Sequence, residues 1–248
     1  YLFQKKVKIL RFYLAVLFAK PPFSDIFAFL KNIFMIQITL PDGSVKEVAK
    51  DSSPFDVARK ISEGLARAII SAKFNDTVVE TSTPLTTDGT LVLYTFDNPE
   101  GKKAFWHSSA HVLAQAVQEL YPGVKLTIGP AIDNGFYYDL DLEGQSISEN
   151  DFPTIEKKFI ELARGKHVFQ MRNVSKADAL KKYKEEGNEF KVELIENLTD
   201  GDITFCDHDN FTDLCRGGHI PNTGLIKAVK VMSAAGAYWR GDEKNKQL

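Results

Sequence analysis

The chain has 248 residues, of which 44% are apolar and 26% charged, with a formal net charge of −2. The length allows one or two domains, and this balance excludes a disordered tail, a collagen or a coiled-coil rod. Two cysteines, Cys206 and Cys215, are too few for a disulfide framework, which points to a reducing compartment. The near-neutral charge confines any contact with nucleic acid to a local basic surface.

Residues 1–34 differ from the rest. They hold Lys5, Lys6, Lys8, Arg11, Lys20 and Lys31 against the single acid Asp25, so residues 35–248 are clearly acidic. Arg11 interrupts the apolar run and no A-x-A-like site follows it, which argues against a signal peptide. Pro21-Pro22 ends the stretch well short of the roughly 20 apolar residues a membrane helix needs. The preferred reading is a non-native or leader segment of translated upstream sequence, with the native start at Met35. The alternative is an amphipathic targeting extension.

Residues 35–97 read as a small unit. Ile36 to Leu40 alternates apolar and polar like a half-buried strand, Pro41-Asp42-Gly43-Ser44 is a tight turn, and Val45 to Val48 returns as a hairpin. Ser53-Pro54 predicts an N-cap with proline at the first helical position. Short strands follow around 72–74, 78–80 and 91–95. This order suggests a ubiquitin-like β-grasp, with no residue set that looks chemical.

Residues 98–240 carry the chemistry. Trp106, Ala110, Leu113, Val117 and Leu120 form one stripe of a helix over about 104–120. Residues 136–140 read as a strand that sends Tyr137 and Tyr138 to opposite faces. Helices are expected at 151–164 and 175–187, a strand at 190–194, and a small-residue turn under an aromatic cap at 234–241. The fold class is therefore α+β, with a sheet packed on a long central helix.

His107 and His111 lie four apart, so they share one side of that helix. About a hundred residues later Cys215 and His219 repeat the spacing inside DLCRGGH. Three imidazoles and one thiol are a tetrahedral zinc set by ligand type, and two matched pairs are harder to explain by chance than one.

Four segments together carry a family resemblance: HSSAH at 107–111, IGPAIDNGFYYDLD at 128–141, DLCRGGH at 213–219 and AGAYWRGDEKNKQL at 235–248. The chain resembles the N-terminal half of bacterial threonyl-tRNA synthetases over about 200 residues. The resemblance implies a TGS domain at 35–97, a tRNA editing domain at 98–240, and at 241–248 the start of a linker to a class II catalytic core that this chain does not include. ATP, magnesium and the core zinc would belong to that core, so aminoacylation by the chain alone is not expected. One departure is Gly218, where many relatives have proline.

Carried over residue by residue, the editing tetrad falls on His107, His111, Cys215 and His219, with Lys191, Asp213 and Tyr138 around the same pocket. The implied activity is deacylation of Ser-tRNA(Thr) by water attack on the aminoacyl ester. His107 would position or deprotonate the water, Lys191 would stabilise negative charge, Asp213 would hold the serine ammonium, and Tyr138 would line the terminal adenosine or ribose. Which residue is the general base stays open. So does the choice between zinc at the tetrad and a metal-free, water-mediated site. The implied partner is the acceptor end of tRNA(Thr), met by Lys157, Lys158, Lys181, Lys182, Lys227, Lys230 and Arg240. The implied setting is cytoplasmic, with no membrane and a homodimeric full-length enzyme. Two alternatives are a freestanding-type alanyl-tRNA editing hydrolase and a non-catalytic RNA-binding module in which the tetrad is a zinc clip.

Overall fold

The computed structural model describes residues 34–248; the reading of residues 1–34 as a leader lies outside them except for Phe34. Strands β1 (Met35–Thr39) and β2 (Val45–Ala49) form the predicted hairpin. Helix α1 (Pro54–Ile61) starts where Ser53 and Asp56 close a reciprocal capping box, with Pro54 at its first position. A second short helix, α2 (Glu63–Ala68), was not legible; Ser62 both ends α1 and caps α2 through Leu65 N–H. Strands β3 (Ile69–Phe74), β4 (Thr77–Val79) and β5 (Gly89–Thr95) complete one sheet ordered β2-β1-β5-β3-β4. The β1–β5 pair is parallel and its neighbours antiparallel, the β-grasp arrangement. Its core is Ile36, Ile38, Val57, Ala72, Leu85 and Leu91.

Helix α3 (Pro99–Leu120) begins five residues before its predicted start, at a proline in the first turn. It is buried nearly all round, including Ser108, Ser109, His111 and Gln115. Ser108 and Ser109 satisfy their hydroxyls on carbonyls one turn back, which lets a helix with a weak apolar stripe sit at the centre of a fold. Gly101 is needed where this helix meets β5, since a Cβ there would lie 1.9 Å from the Thr95 carbonyl oxygen. Ile70 of β3 packs in the same core as Val112, Phe159, Phe169, Cys206 and Cys215. The first unit is therefore less self-contained than its sequence suggests.

After α3 come four two-residue strands, β6 (Lys125–Leu126), β7 (Ala131–Ile132), β8 (Gly135–Phe136) and β9 (Leu140–Asp141). The strand expected at 136–140 is thus interrupted, yet Tyr137 is exposed and Tyr138 turns inward. Helix α4 (Phe152–Arg164) packs on α3, and α5 (Lys176–Glu185) is capped by Ser175. The predicted strand at 190–194 is instead a helix, α6 (Glu189–Glu196). Asn188 accepts a hydrogen bond from Lys191 N–H as its cap, and burial falls on Phe190, Lys191 and Ile195 rather than on alternate residues. The remaining sheet is β10 (Gln170–Asn173), β11 (Thr204–His208) and β12 (Phe211–Leu214), antiparallel in that order. The expected aromatic cap is present: Trp239 is buried against Phe190 and donates its indole N–H to Glu193. Among the described residues no helix is long and apolar enough to cross a membrane.

Candidate functional site

Helix α3 presents His107 and His111 on one side, with ring centroids 4.8 Å apart. Strand β12 delivers Asp213 and then Cys215 to the same place. The chain next turns through Gly217 and Gly218, at φ +90° and +88°, to bring His219 back. Both values lie where L side chains are strained, and Gly218 has an angle that the proline ring forbids. This turn therefore follows a backbone path closed to proline at position 218.

The four donors lie within 4.8 Å of one another. His107 Nε2 is 3.0 Å from Cys215 Sγ, and Cys215 Sγ is 3.3 Å from His219 Nε2. His219 stacks on Phe169, with ring centroids 5.1 Å apart, and on His107. Burial by itself raises the Cys215 thiol, but His111, His107 and His219 outweigh it and hold the group well below the usual thiol range. Burial opposes charge on His219, yet its bonds to Cys206, Cys215 and Glu80 hold it protonated well above an ordinary histidine. Both shifts favour the charged forms of these two groups. His111 is pushed the other way, chiefly by desolvation.

Behind Cys215 lies a second cluster. Lys191 Nζ is 2.5 Å from Asp213 Oδ1, with both side chains under 5% exposed. Tyr138 donates its hydroxyl to Asp213 Oδ2 at 2.5 Å, and Tyr183 reaches Asp213 Oδ1 at 3.4 Å. Burial, followed by the Asp213 charge, pushes the Tyr138 phenol well above its ordinary value. Gly129 is required here because a Cβ would meet the Tyr138 ring at 2.3 Å. All seven expected site residues therefore gather in one place. They do not face the same space, however. A cleft of about 610 Å³ between the β-grasp sheet and the second unit is lined by Val78, Tyr94, Lys103, His107, Cys215 and Arg216, and none of Asp213, Lys191 and Tyr138 lines it.

The basic surface expected for RNA is largely paired. Lys158 meets Glu119 and Glu161, Lys181 meets Glu185, Lys182 meets Glu186, Lys230 meets Glu156 and Arg240 meets Glu193. Lys227 donates to the Gly224 carbonyl. Spacing also gave no hint of Glu80, Tyr183 or His208. Glu80 comes from the β-grasp unit and reaches His219 Nδ1 at 3.0 Å. An acid after a short strand carries no periodic signal, and its target is 139 residues away.

The donor chemistry fits a zinc ion held by His107, His111, Cys215 and His219. Neither ring nitrogen of buried His111 makes a hydrogen bond, although Nδ1 lies 3.8 Å from Asp213 Oδ2, so one nitrogen is free to ligate. A second group, Asp141, Glu143 and Glu189, is instead an ion-pair network with Lys125 and Lys246.

His208 is 2% exposed among Phe169, Phe211 and His111, and desolvation lowers its pKa to about 3. The unfolded chain, with an ordinary histidine near 6.5, binds a proton that the folded chain refuses. Stability is thus lost as pH falls from about 6.5 towards 3, at about 1.4 kcal/mol per pH unit from this group. Urea midpoints at pH 7 and pH 5 should differ by less in a His208→Leu variant than in wild type. Equal slopes would assign the acid sensitivity to other groups.

Two family matches cover much of the chain. Residues 36–95 match the TGS domain, and residues 203–248 match the threonyl and alanyl tRNA synthetase second additional domain. Among curated relatives, the threonine–tRNA ligase of Flavobacterium johnsoniae is 68% identical over 214 residues, 86% of this chain and 33% of the relative. Those of Flavobacterium psychrophilum and Cytophaga hutchinsonii are 66% and 53% identical with the same coverage. The chain spans about a third of the length of these relatives. With a TGS domain followed by this second additional domain, and with such identity along most of its length, the chain belongs to the threonine–tRNA ligase family.

Proposed function

We propose that this chain proofreads threonine tRNA by hydrolysing the ester of Ser-tRNA(Thr). The observation that carries the reading is the placement of His107 and Cys215 on the wall of the cleft, with the rest of the tetrad directly behind them. Serine is threonine without one methyl, a difference worth only about 1–3 kcal/mol to a synthesis site. A second pocket that admits serine and excludes the extra methyl corrects the error.

The residues divide the work as follows. His107 donates Nε2–H to the Cys215 thiolate, a tautomer assigned from its partner, which leaves Nδ1 to take the proton of a water held at the ester. Asp213 and Lys191 do not line the cleft, so they support the tetrad from behind: Asp213 holds Lys191 on Oδ1 and lies 3.8 Å from His111 Nδ1 through Oδ2. Tyr138 keeps Asp213 oriented through its hydroxyl while its ring backs the cluster. Lys103 and Arg216, which have no carboxylate partner among the described residues, are at the cleft to meet phosphates of the acceptor end. A zinc ion held by three of the tetrad residues, with its fourth position open, would supply Lewis acidity there.

Single-turnover hydrolysis of Ser-tRNA(Thr), Thr-tRNA(Thr) and Ser-tRNA(Ala) by this chain tests the reading. Rapid loss of serine from the first alone is expected. Hydrolysis of Ser-tRNA(Ala) in preference to it would move the chain to the alanyl specificity, and no hydrolysis would end the proposal.

The second reading is a structural zinc clip, favoured by the four donors, since a catalytic zinc keeps only three protein ligands and an open position. A clip predicts stoichiometric zinc after purification without added metal, and a large fall in Tm on chelation. A metal-free editing site predicts neither.

A further inference from the structure

We propose that Glu80, supplied by the β-grasp domain, is a positioning residue for the tetrad, holding His219 and the two-glycine turn in their working geometry. The kinetic part of this inference rests on the editing function proposed above.

Glu80 follows β4 directly, so its side chain projects from the edge of the β-grasp sheet towards the second unit. Its carboxylate accepts three donors from one short stretch. Gly218 N–H donates to Oε1 at 3.1 Å, His219 N–H donates to Oε2 at 3.1 Å, and His219 Nδ1 lies 3.0 Å from Oε1. The side chain is 14% exposed, and His219 is fully buried. Among the described residues the one other polar contact of Nδ1 is Cys206 Sγ at 3.7 Å, longer and weaker.

That convergence matters because the turn is otherwise held only near its ends, by Gly217 N–H on Cys215 Sγ and by Ile220 N–H on Ser108 Oγ. Gly217 and Gly218 are both at positive φ, and neither has a side chain to lock the backbone. A carboxylate gripping two successive amides fixes the turn, and its contact with Nδ1 fixes the rotation of the ring. Nδ1–H directed at Glu80 leaves Nε2 aimed at Cys215 Sγ, 3.3 Å away, and Cys215 in turn holds His107 at 3.0 Å. The order Glu80, His219, Cys215, His107 is a continuous set of contacts from the β-grasp domain to the side chain facing the cleft. The same geometry serves a metal equally well, because a carboxylate on the far nitrogen of a ligating histidine fixes its tautomer and ring orientation. The β-grasp domain is therefore a working part of the site rather than an appendage to it.

The test uses the whole chain, with Glu80→Gln, which keeps an acceptor oxygen for His219 N–H but turns an NH₂ donor towards Nδ1 and the Gly218 N–H that share Oε1, and with Glu80→Asp. In protein labelled with ¹⁵N-histidine, His219 Nδ1 should carry a proton in wild type at neutral pH and lose it in Glu80→Gln. The single-turnover rate for Ser-tRNA(Thr) should fall about 10–100-fold in Glu80→Gln, the usual range for a partner that orients a working ligand. Half-saturation by tRNA should be unchanged, and Glu80→Asp should recover part of the rate. An unchanged Nδ1 proton together with a rate within twofold of wild type would overturn the proposal. If wild type hydrolyses nothing, the editing reading fails, and the Nδ1 signal still decides whether Glu80 positions His219.

Discussion

Replacing Asp213 by alanine should destabilise the chain by about 3–5 kcal/mol, the cost of leaving a buried charge without its partner. Asp213 and Lys191 are both under 5% exposed and meet at 2.5 Å. In Asp213→Ala the ammonium would stay in the same dry cavity, facing two phenols that had donated to the lost carboxylate. Water cannot easily repay the loss, because Leu214 N–H, Tyr138 and Tyr183 already surround the carboxylate. Urea denaturation should show the loss as a lower midpoint at unchanged slope. The double replacement Lys191→Met with Asp213→Leu should cost less than Asp213→Ala alone, since it removes both charges and keeps the volume. A double variant as unstable as the two single losses added together would mean that the pair contributes as two independent groups.

Most of the β-grasp unit, α2 excepted, was legible because its elements have local causes. The hairpin follows from the alternation of Ile36 to Leu40 and from the Pro41-Asp42-Gly43 turn, and α1 follows from Ser53-Pro54. The tetrad was legible through its two four-residue spacings, because helix geometry and a tight turn both return a side chain to the same side after four positions. Segment 190–194 failed because Phe190-Lys191-Val192-Glu193-Leu194 alternates like a strand, while the deciding feature is the Asn188 cap just before it. Lys191 shows why that matters. On a helix it is buried beside Asp213, a position that no period assigns to a lysine and that only the family resemblance picked out. The pairing within the basic surface was hidden for another reason. Lys158, Lys182 and Lys230 are counted as free in a sequence, whereas their carboxylate partners are set by i,i+3 and i,i+4 neighbours, by α3–α4 packing, and for Lys230 by the loop that crosses α4 at Glu156. Glu80 had no local cause at all; its role exists only once the two units are docked.

His107→Ala should lower the single-turnover rate for Ser-tRNA(Thr) by about 10²–10⁴-fold, the range for losing a general base, while moving Tm little. Among the tetrad it is the one histidine that lines the cleft and is only partly buried, so its removal opens the wall without emptying a core. His111→Ala is the control. That ring is 2% exposed, packed against Phe211 and His219, and its loss leaves a cavity in the centre of α3, which should cost stability as well as rate. The contrast separates the two readings of the tetrad. A base acts alone at the reacting water, so His107→Ala would give a folded protein that still binds tRNA and does not turn over. A metal clip needs each of its four ligands, so the same variant would lose zinc and melt at a lower temperature, as His111→Ala does. Equal losses of Tm in both variants, together with loss of bound zinc, would therefore shift the assignment from catalysis to structure whatever the rate had done.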